Sequence, residues 1–246
     1  MAARPGPTTR RPRGPGGPVG GIRRRRLRYG TDPSQFGVLD GEGPVAVVIH
    51  GGFWKATYDL WLMDRLCLDL ASRGWAAWNV EYRRLGNGGG VTTTLADVAA
   101  AIDHLAELAP GHSLDLSRVV AIGHSAGGHL AAWAALRPAA RVPVTALVSQ
   151  AGVLDLARAR ELRLSDGVVE RFLGDQPLAT ASPIDLLPLR VPALLTHGDR
   201  DDIVPLGISE RFAEASGATL HVERGAGHFE HLDVAHPLWR SVMAWL

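Results

Sequence analysis

The segment GHSAGG, residues 123–128, centres a serine in a GxSxG pattern, after the apolar run VVAI and before the helix-forming AAWAALR. A serine in that context occupies the apex of a sharp strand-to-helix turn, and glycines two positions either side let strand and helix pass closely. Ser125 is the candidate nucleophile. A hydroxyl attacks poorly until a base takes its proton, and the base needs a carboxylate to orient it. With those groups in the chain order nucleophile, acid, base, ALLTHGDRDDIVP (193–205) supplies the acid and VERGAGHFEHL (222–232) the base. His228 lies in a Gly-rich turn beyond an apolar run and is the better base; His231 follows three residues later at the start of a surface segment. Asp201 holds the fifth position of HGxxDxxVP and is preferred to Asp199 and Asp202, which read as turn or solvated carboxylates. A metal site at His228, His231 and His236 is the competing reading, but no carboxylate and histidine cluster elsewhere in the sequence completes its shell, so no metal and no cofactor is expected.

Acyl transfer builds negative charge on an oxygen, which needs donors aimed at it in advance. VAVVIHGGFW, residues 45–54, ends an apolar run in two glycines and two aromatic residues. Its glycines allow the N–H groups of Gly52 and Phe53 to converge with that of Ala126, the residue after the nucleophile, as an oxyanion hole. Phe53, Trp54 and Phe229 are expected to line the substrate pocket.

These residues need a frame. Short apolar runs alternating with helical patterns from about residue 36 predict a mainly parallel sheet covered on both faces. The strands are VAVVI (45–49), AAWNVEY (76–82), VVAIG (119–123), VTALVS (144–149), ALLTHG (193–198) and TLHVE (219–223), with RLRYG and FGVLD as an antiparallel edge before them. Between them TLADVAAAIDHLAEL places apolar residues at helical spacing, with Thr94 and Asp97 resembling a capping box. AGGHLAAWAALR and HPLWRSVMAWL form two further helices. Residues 153–190 break the rhythm and are read as a small cap-like helical insertion over one end of the sheet.

The chain of 246 residues, 46 % apolar, can close one sizeable core. One cysteine, Cys67, excludes an internal disulfide framework and reads as a buried helical thiol. Nine arginines precede the first acid, Asp32, leaving 17 basic against 25 acidic residues, net −8, thereafter. Residues 1–26 therefore read as a disordered basic Pro/Gly/Arg tail, and 27–246 as a single domain. No run is long enough for a transmembrane helix, and no apolar stretch follows the arginines as a signal peptide requires, so the expected location is cytoplasmic. LGNGGG (85–90) has Val91 where GxGxxG needs its third glycine, and the sole lysine, Lys55, stands in no phosphate-binding loop; neither nucleotide nor nucleic acid is an expected partner, and no membrane is. Glu81, Tyr82, Arg83 and Arg84, at and just after the end of a strand, have no evident chemical role.

From about residue 27 to the C-terminus the chain resembles the α/β-hydrolase superfamily. HGGFW is similar to the HGGxW motif of the kynurenine formamidase (arylformamidase) group and related small esterases, GHSAGG to their GHSAG, and RYGTDPSQFGVLD to the region before their first strands. Gly128 stands where those formamidases often carry alanine. The resemblance implies an α/β-hydrolase fold and a serine hydrolase using Ser125, Asp201 and His228 on a small ester or amide, an aryl formamide among the candidates. Carboxylesterase-like or oligopeptidase-like hydrolysis is the alternative, and an inactive binding protein on the same fold is the rival of another class. A histidine base loses its proton near neutral pH, so activity should rise through that range. A homodimer is the candidate assembly.

Overall fold

The computed structural model describes residues 23–246. In chain order the elements are β1 (Arg24–Arg28), β2 (Phe36–Asp40), β3 (Gly43–Ile49), α1 (Asp64–Ser72), β4 (Ala76–Val80), α2 (Val91–Asp103), α3 (Leu105–His112), β5 (Leu114–His124), α4 (Ala126–Leu136), β6 (Ala146–Gln150), α5 (Leu156–Glu161), α6 (Leu164–Leu173), β7 (Ala193–Gly198), α7 (Gly207–Ser216), β8 (Thr219–Glu223) and α8 (Pro237–Trp245). The strands form one eight-stranded sheet in the order β1-β2-β4-β3-β5-β6-β7-β8. β1 and β2 are antiparallel to each other, β2 is antiparallel to β4, and the other pairs are parallel.

A parallel strand is covered on both faces, which is why VAVVI is apolar throughout rather than alternating. Successive side chains of β3 point to opposite faces. Val45, Val47 and Ile49 join α2, α4, α6 and α7 residues in one core, while Ala46 and Val48 meet Leu66, Cys67 and Leu70 of α1 and Trp239 and Val242 of α8 in the other. Cys67 is fully buried, and burial pushes its thiol well above the ordinary value.

Several expectations change. The boundary between tail and domain at 26/27 falls inside β1, because Arg24 is tied to Asp40 (2.8 Å) and to Asp64, and β1 pairs along its length with β2. Residues 1–22 of the expected tail lie outside the described residues. TLADVAAAIDHLAEL is two helices separated at His104, and the capping box is not made. α2 begins earlier, at Val91, while the Thr94 hydroxyl donates to the Arg83 carbonyl and the buried Asp97 carboxylate accepts from Arg83 and Gln35. No described helix is long and apolar enough to cross a membrane.

Candidate active site

The loops at the carboxyl ends of β3, β5, β7 and β8 meet at one end of the sheet, where open α/β sheets bind ligands. Ser125 joins β5 to α4 with φ 57° and ψ −121°, a sparsely populated region for a residue with a side chain. The flanking glycines allow it. A Cβ on Gly123 would lie 2.0 Å from the Gly127 carbonyl oxygen, and one on Gly127 would lie 2.0 Å from that of Ile49. Gly128 also has a packing reason, since its Cβ would meet Ser149 Oγ at 2.6 Å and Gly152 Cα at 2.8 Å.

His228 and Asp201 are brought together, with Nδ1 of the ring 2.6 Å from Oδ2 of the carboxylate. An ionised carboxylate only accepts, so Nδ1 carries the proton and Nε2 is left with its lone pair. Asp201 Oδ1 accepts from the N–H groups of Ile203 and Val204, each at 2.9 Å. Burial pushes the carboxyl up, but hydrogen bonds from His197 and His228 outweigh it and hold Asp201 well below the usual carboxylate range. Asp199 acts elsewhere. Its Oδ1 accepts the Gly225 N–H at 2.6 Å, and together with the Arg200 N–H on the Ala226 carbonyl (2.9 Å) it ties the loop after β7 to the loop carrying His228. Asp202 is exposed.

Ser125 and His228 line the same cavity of about 70 Å³ with Gly52, Phe53, Tyr58, Leu62, His124, Ile203 and Phe229. No hydrogen bond joins their side chains among the described residues; in free enzymes such contacts are often long and tighten around substrate. A far larger cleft of about 610 Å³, lined by Arg25, Glu42 and His112 among others, opens at the opposite, amino-terminal ends of the parallel strands and has no part in this constellation.

The HGGFW loop supplies two walls of the cavity, Gly52 and Phe53, and Phe229 a third. Gly52 (φ 104°), Phe53 (φ 51°) and Trp54 (φ 55°) all adopt left-handed backbone, which takes this segment out of the strand ladder. Ala126 is the first residue of α4, whose first-turn N–H groups lack intrahelical partners. Trp54 is a correction. Its side chain is wholly buried, stacked on Phe172 at 4.3 Å and edge-on to His129 at 5.1 Å, so the left-handed turn sends it into the core and away from the cavity. The insertion of residues 153–190 forms α5, α6 and two 3₁₀ turns, and none of its residues lines the cavity.

Residues with no evident chemical role in the sequence hold this frame. The His50 ring stacks on Tyr82 (4.5 Å), the Tyr82 hydroxyl donates to the His50 carbonyl (2.7 Å), and Glu81 accepts from Arg84 (2.9 Å) beside the His50 ring. The segment after β4 therefore anchors HGGFW. His124 donates from Nε2 to the His228 carbonyl at 2.8 Å, and burial pushes its pKa down to about 3. The position of His124 immediately before Ser125 is the sequence signal for that contact. His231, the weaker candidate base, is buried with its Nδ1 at 3.2 Å from Thr196 Oγ1, and the His236 ring accepts the Leu238 N–H at the start of α8. The three histidines of the alternative metal reading thus face different partners.

Comparison with known proteins bears on the whole frame. The family model BD-FAE matches residues 38–215, well over half of the chain. Esterase LipC of Mycobacterium tuberculosis is 30 % identical over 255 residues, covering 87 % of this chain and 62 % of that protein. Isoprenylcysteine alpha-carbonyl methylesterase ICME of Arabidopsis thaliana is 30 % identical over 124 residues, covering 48 % of this chain and 29 % of its own length. The chain thus spans less than two thirds of these curated relatives. Among solved structures, an esterase B from Lactobacillus rhamnosis in a tributyrin phosphonate complex superposes with a TM-score of 0.79 at 22 % identity, covering 91 % of this chain and 84 % of that one. Esterase 2 of Thermogutta terrifontis, phosphonylated by sarin, superposes with 0.75 at 22 % identity over 90 % and 92 %. These matches carry the α/β-hydrolase fold and superfamily, and do not extend to the arylformamidase group. The chain belongs to the BD-FAE family of the α/β-hydrolase superfamily.

Proposed function

We propose that this chain hydrolyses small carboxylic esters through an acyl-enzyme on Ser125, with His228 as base and Asp201 as the carboxylate that orients it. The observation that carries the reading is that the strained Ser125 and the imidazole of the His228–Asp201 pair open into one cavity. The chemistry follows from the tautomer. Ser125 Oγ attacks the carbonyl carbon as its proton passes to His228 Nε2, and the resulting imidazolium is stabilised by Asp201 through Nδ1–H. Collapse of the tetrahedral intermediate breaks the bond to the leaving alcohol, which takes the proton from Nε2. Water then attacks the acyl carbon, gives its proton to Nε2, and Ser125 recovers a proton as the acid leaves.

The N–H groups of Gly52, Phe53 and Ala126 are the donors for the oxyanion. Relatives named as esterases favour an ester over an amide, and the small cavity favours a short acyl group. The likeness of HGGFW to the formamidase motif keeps one further substrate in view, an aryl formamide, whose formyl group is smaller still.

A fluorophosphonate probe should label the wild-type protein at Ser125 and fail on Ser125→Ala. The same variant should lose about 10⁶-fold in kcat on p-nitrophenyl acetate. Retention of most of the turnover in that variant would overturn the proposal. N-formylkynurenine in parallel decides the amide: negligible hydrolysis beside active ester turnover removes the aryl formamide and leaves the esterase.

A further inference from the structure

Asp201 does not serve His228 alone. His197, in β7 one residue before its end, is fully buried, and its Nε2 lies 2.8 Å from the Val204 carbonyl oxygen and 3.2 Å from Asp201 Oδ2. That Oδ2 is the atom that accepts from His228 at 2.6 Å. A carbonyl oxygen only accepts, so His197 Nε2 bears a hydrogen, and Nδ1, 2.8 Å from Ser209 Oγ on α7, is left to accept the hydroxyl proton. With the Ile203 and Val204 amides on Oδ1, four N–H groups face the two oxygens of a side chain with no solvent exposure. That fills the capacity of a carboxylate.

The geometry points to His197 as a positioning residue that shares Asp201 Oδ2 with His228, locking the carboxylate in place and drawing off part of the charge that would otherwise stabilise the His228 imidazolium. This rests on the reading of Asp201 and His228 given above. The other titratable groups in this space are His124 from the end of β5, its ring 4.6 Å from that of His228, and His231, its ring 5.7 Å from that of His124. Burial pushes His124 down to about 3 and His231 well below the ordinary imidazole value, so both are neutral where an esterase is assayed and add no competing charge. Asp199 is engaged with Gly225 and Asp202 is exposed, which leaves His197, its Nε2 3.2 Å away, as the second ring beside the acid's shared oxygen.

Removing the His197 N–H returns charge from Oδ2 to His228 and makes its protonated form easier to reach. In His197→Leu the acid limb of the kcat/KM profile on p-nitrophenyl acetate should therefore move to higher pH by about half a unit or more. In His197→Gln, whose side-chain amide reaches the place of Nε2, it should return toward the wild-type position. An acid limb unmoved in His197→Leu, or moved equally in both variants, would overturn the inference. Fluorophosphonate labelling at pH 9 separates the two claims: a wild type that does not label sinks the triad, whereas variants that label with an unmoved limb sink only the role of His197. Ring ¹⁵N resonances of the wild type test the same point should the Leu variant fail to fold. They should show His197 protonated at Nε2 with Nδ1 bare at pH 8, and the opposite tautomer would refute the shared donor.

Discussion

At Gly51 a Cβ would lie 2.6 Å from the His124 carbonyl oxygen and 2.9 Å from Cβ of Ser125, so this position has no side chain because the Ser125 turn passes beside it. Gly52 is required for a different reason: its φ of 104° is left-handed, and a side chain there would also run into the Tyr58 ring at 2.5 Å. Gly51→Ala should move the Ser125 turn by a fraction of an ångström. Because rate depends steeply on the placement of reacting groups, kcat should fall about 10²-fold with KM little changed, a split that steady-state kinetics on p-nitrophenyl acetate reads directly. At this scale the sequence was informative wherever stereochemistry restricts the choice of residue. GxSxG and HGxxDxxVP identify positions because few residues fit their turns, and the structure brings Asp201 and His228 into contact and Ser125 to the same cavity. Trp54 was not legible, since an aromatic residue after a turn can face a pocket or a core, and a φ of 55° decides between them.

Among the elements, the insertion packs against the site's loops rather than into its cavity. There α6 packs Phe172 on Trp54, and the 3₁₀ turn near Ala181 offers its carbonyl to His129 of α4 at 2.9 Å. The insertion thereby holds down the HGGFW loop and α4 from the side. Phe172→Ala should cost about 3 to 4 kcal/mol of stability through lost burial and the cavity left behind, measured as a lower urea midpoint, with fluorophosphonate labelling of the folded fraction preserved. Helical spacing alone shows that residues 153–190 contain helices. It does not say which neighbours those helices choose, because Phe172 and Trp54 are more than a hundred residues apart. A similar limit explains Thr94 and Asp97, whose spacing mimics a capping box while Arg83, brought close by the end of β4, claims both.

For the molecule as a whole, buried histidines set the acid limit of stability. Burial pushes His129 down to about 4, His124 to about 3 and His231 well below the ordinary value. Between an unfolded value of 6.5 and these folded values the unfolded chain binds more protons, so stability falls as pH drops through that window. Asp201 adds a second loss at lower pH: its depressed pKa contributes stability above the unfolded value of 3.8 that disappears as pH falls further. The melting temperature should therefore decline steadily from pH 7 to pH 4. His129→Gln, which keeps a donor but cannot be protonated, should show a shallower decline; an unchanged slope would mean that His129 does not titrate in this transition.

Local chemistry in the sequence was enough for the layered α/β class, most strands and the sharp turn at Ser125, because apolar periodicity and strained turns are properties of a few consecutive residues. Where β1 starts, where Trp54 points, what the insertion covers and that two histidines meet on one carboxylate oxygen depended on the tertiary structure. Those are contacts between segments far apart in the chain, and their geometry exists only once the whole sheet has been assembled.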